Sequence, residues 1–285
     1  MTQRPPKASK VGGIATLECL IVPVSAGLST TYQGAPMKIL VALKQVPDTE
    51  TKIKVAADGK SLDPADVKWI TSPYDEYALE EAIRIKEGKG AEVVALSVGG
   101  DAAKDVLKNA LALGADAAVL LKGDGQGDAF AVAHMIAAYA KDKGFDLILC
   151  GNKGLGGDNA AMGPMLAELL GVAQANVIVK LELGEGTFKA EREIESGSEI
   201  VEGALPAVIT AQKGLNEPRY ASLKGIMAAK KKTIEELDAA PATAGAQVSV
   251  LALPPERPAG RLLQGDASQQ AQALLQALKD EAKVF

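Results

Sequence analysis

The sequence is short of the residue types that carry most enzymatic chemistry. It contains two cysteines, Cys19 and Cys150, and one histidine, His134, among 285 residues. So few cysteines exclude a disulfide framework and fit a reducing compartment. They also leave no Cys/His cluster for structural zinc. A Ser-His-Asp triad would need His134, which lies in an apolar helical stretch and is better explained as a packing residue.

Long apolar runs and a strong excess of one charge are also missing. No run approaches the ~20 residues that span a bilayer, so we expect no membrane protein. The formal net charge is -5, with both signs mixed along the chain, which argues against a nucleic-acid binder. The hydrophobic content of 47% is that of an ordinary globular protein.

Composition changes at two places suggest three segments. Residues 1–36 are poor in acids, as a transit peptide would be, but they nearly lack arginine. They also lack the long, clean apolar core of a secretory signal. We predict that they form an N-terminal extension that is disordered or not part of the fold. Residues 239–246, made of Ala, Pro, Thr and Gly, predict a flexible linker. The expected domains are therefore an α/β domain at 37–237 and a C-terminal arm at 238–285.

Short apolar runs alternate with amphipathic segments from Met37 onward. The runs predict strands at 39–43, 93–98, 117–121, 147–150, 177–181 and 207–210. Helices are predicted at 73–89, 101–113, 128–141 and 159–170, the first with Ser72 as its N-cap and Pro73 at its first position. This alternation indicates a doubly wound, mostly parallel, Rossmann-like sheet covered on both faces.

The second half of the chain has a different pattern. Charged alternating stretches at 188–194 and 198–202 predict a small antiparallel hairpin. A helix is expected to begin at Ile226 and to end in three lysines. A further strand is predicted at 248–253, and an amphipathic terminal helix at 269–283.

The loop after the fourth strand is a candidate phosphate cradle. It runs from Gly151 through Gly157 and leads into a helix, so that backbone N–H groups and a helix N-terminus lie at the carboxyl end of a strand. It matches neither of the two standard nucleotide-binding glycine motifs. A long Gly-rich connection without a ligand explains the loop equally well. Tyr74 is placed to pack against an adenine or a flavin edge, although an ordinary aromatic at a helix start accounts for it too.

Residues 215–232 form a third candidate site. Pro218 and Gly225 bracket a segment suited to a protruding loop, and Leu223 lies there among polar and small residues. An exposed leucine of this kind can anchor a partner protein. The alternative is that Leu223 folds back onto the core. The lysines at 230–232 also suit a solvated helix C-terminus.

Several of these segments together resemble electron transfer flavoprotein beta subunits. The similar segments, in chain order, are KILVALKQVPD from Lys38, SPYDEYALEEAIRIKE from Ser72, AEREIESGSEIVEGALPAVIT from Ala190 and LNEPRYASLKGIMAAKKK from Leu215. Ser72 stands where the family usually has Asn, and Ser196 where it has Gly or an acid. The resemblance covers the chain from Met37 to its end.

The resemblance implies a fold of the adenine-nucleotide-binding type and an alpha/beta heterodimer. FAD would lie at the interface, held mainly by the alpha subunit, and AMP would be bound structurally in this subunit. The AMP contacts carried over are Ala42, Ser72, Pro73, Tyr74, Asp75, Val98, Gly151, Asn152, Lys153, Gly154, Leu155, Gly156, Gly157, Asp158, Asn159, Ala160, Ala161 and Met162.

The resemblance also implies a role in electron transport and fatty acid beta-oxidation. The chain would be an electron carrier with no catalytic residue and no metal, taking electrons from acyl-CoA-type dehydrogenases towards a quinone oxidoreductase and the respiratory chain. It would lie in the cytoplasm of a bacterium or in the mitochondrial matrix of a eukaryote. The docking residues implied, with Leu223 as the anchor, are Pro218, Arg219, Tyr220, Ala221, Ser222, Leu223, Lys224, Gly225, Ile226, Met227, Lys230, Lys231 and Lys232.

Two alternatives stay open. Residues 157–164 resemble electron-bifurcating relatives, which bind a second FAD where others bind AMP, whereas residues 226–232 resemble the non-bifurcating type. A stand-alone ATP-binding stress-type module would use a similar sheet. The hairpin and the segment at 215–220 speak against that second alternative.

Overall fold

The computed structural model describes residues 36–125, 127–257 and 259–285, together with the backbone of a short antiparallel pair, Lys10–Val11 with Ile14–Ala15. The prediction for the extension at 1–36 falls, apart from that pair and residue 36, outside the described residues. The chain divides into two compact units. The larger unit takes residues up to 53 and 64–249, and the smaller takes 54–63 and 250–285.

The larger unit alternates strands and helices as the sequence predicts. Its elements in chain order are β1 (Lys38–Ala42), β2 (Gln45–Pro47), β3 (Trp69–Thr71), α1 (Pro73–Lys89), β4 (Glu92–Gly99), α2 (Lys104–Leu113), β5 (Ala117–Lys122), α3 (Ala129–Ala140), β6 (Leu147–Gly151), α4 (Met162–Leu170), β7 (Ala173–Leu183), β8 (Thr187–Ile194), β9 (Gly197–Ala204), β10 (Ala207–Ala211), α5 (Leu223–Ala229) and β11 (Ile234–Asp238).

The main sheet is doubly wound. Within the described residues its order is β9-β8-β7-β10-β6-β1-β4-β5-β11. The strands from β10 to β11 in that order run parallel, and β8 pairs antiparallel with both β7 and β9. The chain builds outward from β1 through β4 to β5 and then crosses back to β6 on the other side of β1. The sheet therefore reverses its order between β1 and β6, where such folds open a crevice at the strands' carboxyl ends.

Two apolar layers cover the sheet, and β1 shows the alternation that separates them. Ile39 and Val41 join the layer that contains α1 and α2, whereas Leu40 and Ala42 join the layer that contains α3 and α4. All four side chains are almost completely buried. The predicted α/β sheet with both faces covered and with a small hairpin, β8 and β9, is confirmed.

Two helices begin at residues other than those predicted. α4 begins at Met162 instead of 159, because Asp158 and Ala160 take left-handed backbone conformations, with φ of 48° and 49°, that a helix cannot include. α5 begins at Leu223 instead of Ile226. Ser222 caps it by accepting a hydrogen bond from the backbone N–H of Gly225 at 3.1 Å.

The strand predicted at 248–253 is wrong. Its apolar side chains stay exposed, Val250 at 74% and Leu253 at 58%, and no strand among the described residues pairs with this stretch. The additional strand is instead β11, whose acidic sequence does not suggest one. It pairs in parallel with β5, and Glu236 forms ion pairs with Lys104 and Lys122 at 2.7 and 2.8 Å.

The smaller unit contains the predicted terminal helix. This helix, α6 (Ala267–Asp280), starts with a capping box in which Asp266 and Gln269 bond reciprocally. A bridge joins Val55 to Leu62, and the N–H of Leu251 donates to the carbonyl of Gly59 at 2.8 Å. No residue of α6 is buried.

Candidate functional site

A cleft opens where the sheet reverses its order. Its empty volume is about 890 Å³, including space open to solvent. The residues that line it come from the ends of β1, β4 and β6 and the starts of α1, α3 and α4. They are Ala42, Leu43, Lys44, Asp75, Leu96, Val98, Gly125, Gly127, Ala129, Val132, Ile136, Gly151, Asn152, Lys153, Gly154, Gly157, Asn159, Ala160, Ala161, Met162 and Gly163.

Most of the residues that the resemblance assigns to AMP lie together in this cleft. The structure brings twelve of the predicted side chains and backbone segments to its wall, from Ala42 and Asp75 to the loop before α4. Those outside the lining are Ser72, Pro73, Tyr74, Leu155, Gly156 and Asp158. The contribution of α3 and of two glycines before it, Gly125 and Gly127, was not anticipated. Their sequence has no phosphate-binding motif, and only the packing of α3 over β4 brings them to the site.

Asp75 holds two walls of the cleft together. One carboxylate oxygen accepts the backbone N–H of Lys44 at 2.7 Å, and the other accepts the N–H of Gly151 at 2.8 Å. The side chain is buried, and this burial raises its pKa from 3.8 to about 7, although the two hydrogen bonds act in the opposite direction. Asp75 therefore ties the end of β1 to the end of β6, and its oxygens are engaged by protein donors.

Close backbone approaches require glycine at two positions of the cleft. A Cβ on Gly151 would lie 2.5 Å from the carboxylate of Asp75. A Cβ on Gly125 would overlap the carbonyl oxygen of Val98. Gly156, in contrast, has φ of 89° with open space around it, so this glycine serves the loop's own turn.

The cleft favours an anionic ligand. The N-termini of α3 and α4 both reach it, and no side chain caps either helix, so free N–H groups and two positive dipole ends are available. Lys44 and Lys153 supply full positive charges at the wall. Lys153 pairs with Asp158 at 3.1 Å and lies 5.6 Å above the ring of Tyr74. The hydroxyl of Ser72 is buried beside these residues without a hydrogen-bond partner in the described structure.

Little in the cleft suits covalent chemistry. Cys150 is buried beneath the loop, and burial raises the pKa of its thiol, which keeps it protonated and unreactive. His134 contacts Phe130 edge to face, with ring centroids 4.5 Å apart, as the packing interpretation predicted. Among the described residues, His, Cys, Asp and Glu side chains nowhere gather in a group that could hold a metal ion.

The predicted docking residues lie on and before α5. The side chain of Leu223 is 80% exposed and that of Tyr220 is 97% exposed. Leu223 therefore does not fold back onto the core, which was the alternative considered from the sequence. Ile226 and Met227 are exposed as well, and these four exposed apolar side chains are together called the docking surface below, after the prediction that they bind a partner.

The docking surface stands on a fixed base. A Cβ on Gly225 would overlap the carbonyl oxygen of Ala112, so α5 packs against α2 at close range. Ala229 is buried, and the ammonium group of Lys232 donates to the carbonyl of Ala115 at 2.6 Å. Lys230 and Lys231 stay exposed. The exposed apolar side chains therefore sit on a helix whose other side is packed against α2 and the residues that follow it.

No helix in the described ranges combines the length and hydropathy that crossing a lipid bilayer requires. The sheet, the cleft at its order reversal and the exposed apolar residues of α5 define a Rossmann-like α/β protein with an open cleft and a separate exposed apolar surface.

Comparison with known proteins gives the family. The model of the electron transfer flavoprotein domain matches residues 61–242. The chain is 43% identical over 259 residues to the electron transfer flavoprotein subunit beta of Bacillus subtilis (strain 168), covering 87% of this chain and 100% of that protein. It is 40% identical over 250 residues to the subunit beta of Bradyrhizobium diazoefficiens, with coverage of 87% and 100%.

A plant relative matches over a similar span. The mitochondrial electron transfer flavoprotein subunit beta of Oryza sativa subsp. indica is 38% identical over 259 residues, which are 87% of this chain and 100% of that protein. The chain belongs to the electron transfer flavoprotein family, among its beta subunits. The resemblance found in the sequence is thereby confirmed, and with it a role in flavin-linked electron transfer.

Proposed function

We propose that this chain is the beta subunit of a heterodimeric electron transfer flavoprotein that carries electrons from acyl-CoA-type dehydrogenases towards a quinone oxidoreductase and the respiratory chain. The observation that carries the proposal is the docking surface, because four exposed apolar side chains on a rigid base suit brief contact with a partner protein. A carrier that must leave after each turnover needs a small contact of this kind.

The carrier role includes no bond chemistry by this subunit. The ionisable side chains that line the cleft are Asp75, Lys44 and Lys153. Both oxygens of Asp75 already accept backbone N–H groups, so the carboxylate is engaged in holding the protein. Such a cleft binds and orders a ligand and has no paired nucleophile and base at its wall.

AMP fits the cleft as a structural ligand. The N-termini of α3 and α4 with Lys44 and Lys153 would hold its phosphate. The apolar wall of Leu96, Val98 and Ile136 suits a purine ring. FAD, held mainly by the alpha subunit at the interface, would supply the redox chemistry when bound.

The smaller unit supports an alpha-subunit partner. Its helix α6 leaves Leu274 and Leu275 about half exposed, and Phe285 is 69% exposed. An amphipathic helix with no buried side chain of its own needs a surface to pack on. We propose that the alpha subunit provides that surface. The heterodimer would lie in the cytoplasm if the chain is bacterial and in the mitochondrial matrix if it is eukaryotic.

Identification of the bound nucleotide tests the proposal. The heterodimer is purified, denatured and cleared of protein, and the released nucleotides are separated and quantified by chromatography. One AMP and one FAD per heterodimer would support the proposal. Two FAD and no AMP would overturn the AMP assignment in favour of a bifurcating subunit. ATP bound to a chain that does not pair with an alpha subunit would overturn the proposal altogether.

A further inference from the structure

A second groove lies beside the docking surface, between α1, α2 and residues 218–221. Its empty volume is about 740 Å³, including space open to solvent. Leu79, Ile83 and Leu113 contribute apolar groups to its wall, and Tyr220 forms part of its rim. Tyr220 also belongs to the docking surface, so the groove and that surface adjoin each other. We call this groove the acidic groove below.

Most of the charges in the acidic groove are already compensated within the protein. Glu80 accepts from Arg84 at 2.9 Å and from Arg219 at 2.8 Å. Arg219 also pairs with Glu87 at 2.5 Å, and these two carboxylates raise the pKa of its guanidinium. Arg219 is therefore fully engaged and is not available to neutralise another acid.

Glu76 is the exception in this groove. Its side chain is half buried in the groove wall, and burial raises the pKa of its carboxyl group. In the described structure it has neither a hydrogen-bond nor an ion-pair partner. An incoming cation stabilises an unpaired carboxylate in a partly apolar wall more than it stabilises a fully exposed carboxylate, because less water screens the attraction between the two charges.

We propose that the acidic groove receives a lysine or arginine side chain of the partner dehydrogenase, with Glu76 as its counter-charge. This proposal rests on the docking function proposed above and adds the kind of partner residue that the docking surface selects. The apolar wall accommodates the methylene stem of such a side chain while its charged end reaches Glu76. Charge complementarity of this kind mainly speeds association and fixes orientation.

The test replaces Glu76 by Gln in the FAD-containing heterodimer, which removes the charge and keeps the shape. Glu185→Gln is the matched control, because Glu185 is an exposed acid in the turn between β7 and β8. Steady-state reduction by an acyl-CoA dehydrogenase is measured at low and high salt. We expect the KM for the Glu76→Gln flavoprotein to rise roughly three- to fivefold at low salt and the difference to vanish at high salt. We expect kcat and FAD content to stay at wild-type values, the thermal midpoint to fall only slightly because Glu76 lies in the first turn of α1, and Glu185→Gln to leave every quantity unchanged.

Three results would overturn the proposal. The first is an unchanged KM at low salt, and the second is an equal rise in the control variant. The third is loss of alpha subunit or FAD from the Glu76→Gln protein, which would place the groove inside the heterodimer. Leu223→Ala in the same assay distinguishes a failure of the groove proposal from a failure of the docking function. If that variant raises KM and Glu76→Gln does not, the docking function stands and the groove proposal fails.

Discussion

Replacing Asp75 by Asn tests the most unusual electrostatic feature of the cleft. In the wild type, the folded-state pKa of Asp75 is about 7 and its ordinary value is 3.8. A carboxyl group with a raised pKa stabilises the fold fully below its unfolded pKa, and this contribution is lost as the pH rises through the folded pKa. Asn has no such titration, so the stability difference between the two proteins must depend on pH.

The expected size follows from the pKa values and the two hydrogen bonds. The rise in pKa from 3.8 to about 7 corresponds to roughly 4 kcal/mol of pH-dependent stabilisation of the folded protein. Roughly 3 kcal/mol of this stabilisation is lost between about pH 5 and about pH 8. The Asn side chain adds a constant cost of about 1–3 kcal/mol, because its amide nitrogen would face one of the backbone N–H groups that Asp75 now accepts.

Thermal melts of the purified heterodimer across that pH range provide the measurement. We expect the thermal midpoint of the wild type to fall by roughly 6–12 °C relative to that of Asp75→Asn as the pH rises, on the usual conversion of unfolding free energy to midpoint temperature. Nucleotide and FAD contents are measured at each pH, and titration of the nucleotide phosphate cancels because both proteins carry it. A midpoint difference that stays flat with pH would refute the argument that burial dominates the ionisation of Asp75.

Three further predictions concern the other features. Leu223→Ala should leave the thermal midpoint unchanged, because the side chain is 80% exposed. It should raise the dehydrogenase's KM for the flavoprotein by about 30-fold, which corresponds to the loss of a hot spot of about 2 kcal/mol. A lowered thermal midpoint would contradict this prediction. Gly125→Ala should reduce the amount of bound nucleotide, because the added Cβ would overlap the carbonyl oxygen of Val98. Gly100→Ala is the control, because a Cβ at Gly100 meets open space, and this variant should keep its full nucleotide content. Equal nucleotide contents in the two variants would contradict the prediction. Truncation after Ser249 should weaken co-purification with the alpha subunit, and undiminished recovery of the heterodimer would rule out the arm as an interface.

The sequence alone was enough to predict the sheet and most of the cleft. Apolar runs such as that at the end of β1 are buried on both faces, so their composition already indicates a parallel sheet. The switch point then follows from the order of elements, and it brings the loop after β6 to the site. Glycine-rich loops at such a point are informative because glycine permits both close backbone approaches, as at Gly151, and left-handed turns, as at Gly156.

The errors arose where long-range packing decides the structure. β11 has the acidic sequence IEELD, and it becomes a strand because it pairs with β5 and because Lys104 and Lys122 neutralise Glu236. The run at 248–253 has a good strand pattern, but no strand in the described part of the chain pairs with it. In the same way, the contribution of Gly125 and α3 to the cleft depends on packing across the sheet. None of these distant pairings can be predicted from the local pattern.

The uncovered helix α6 has a consequence for how a cell makes this protein. On the interface proposed above, a chain without the alpha subunit exposes Leu274, Leu275 and Phe285 to water. Surplus copies would therefore be bound by chaperones, degraded or drawn into aggregates. Synthesis of the two chains in equal amounts would avoid that loss, and expression of this chain by itself is expected to give lower yields than co-expression with the alpha subunit.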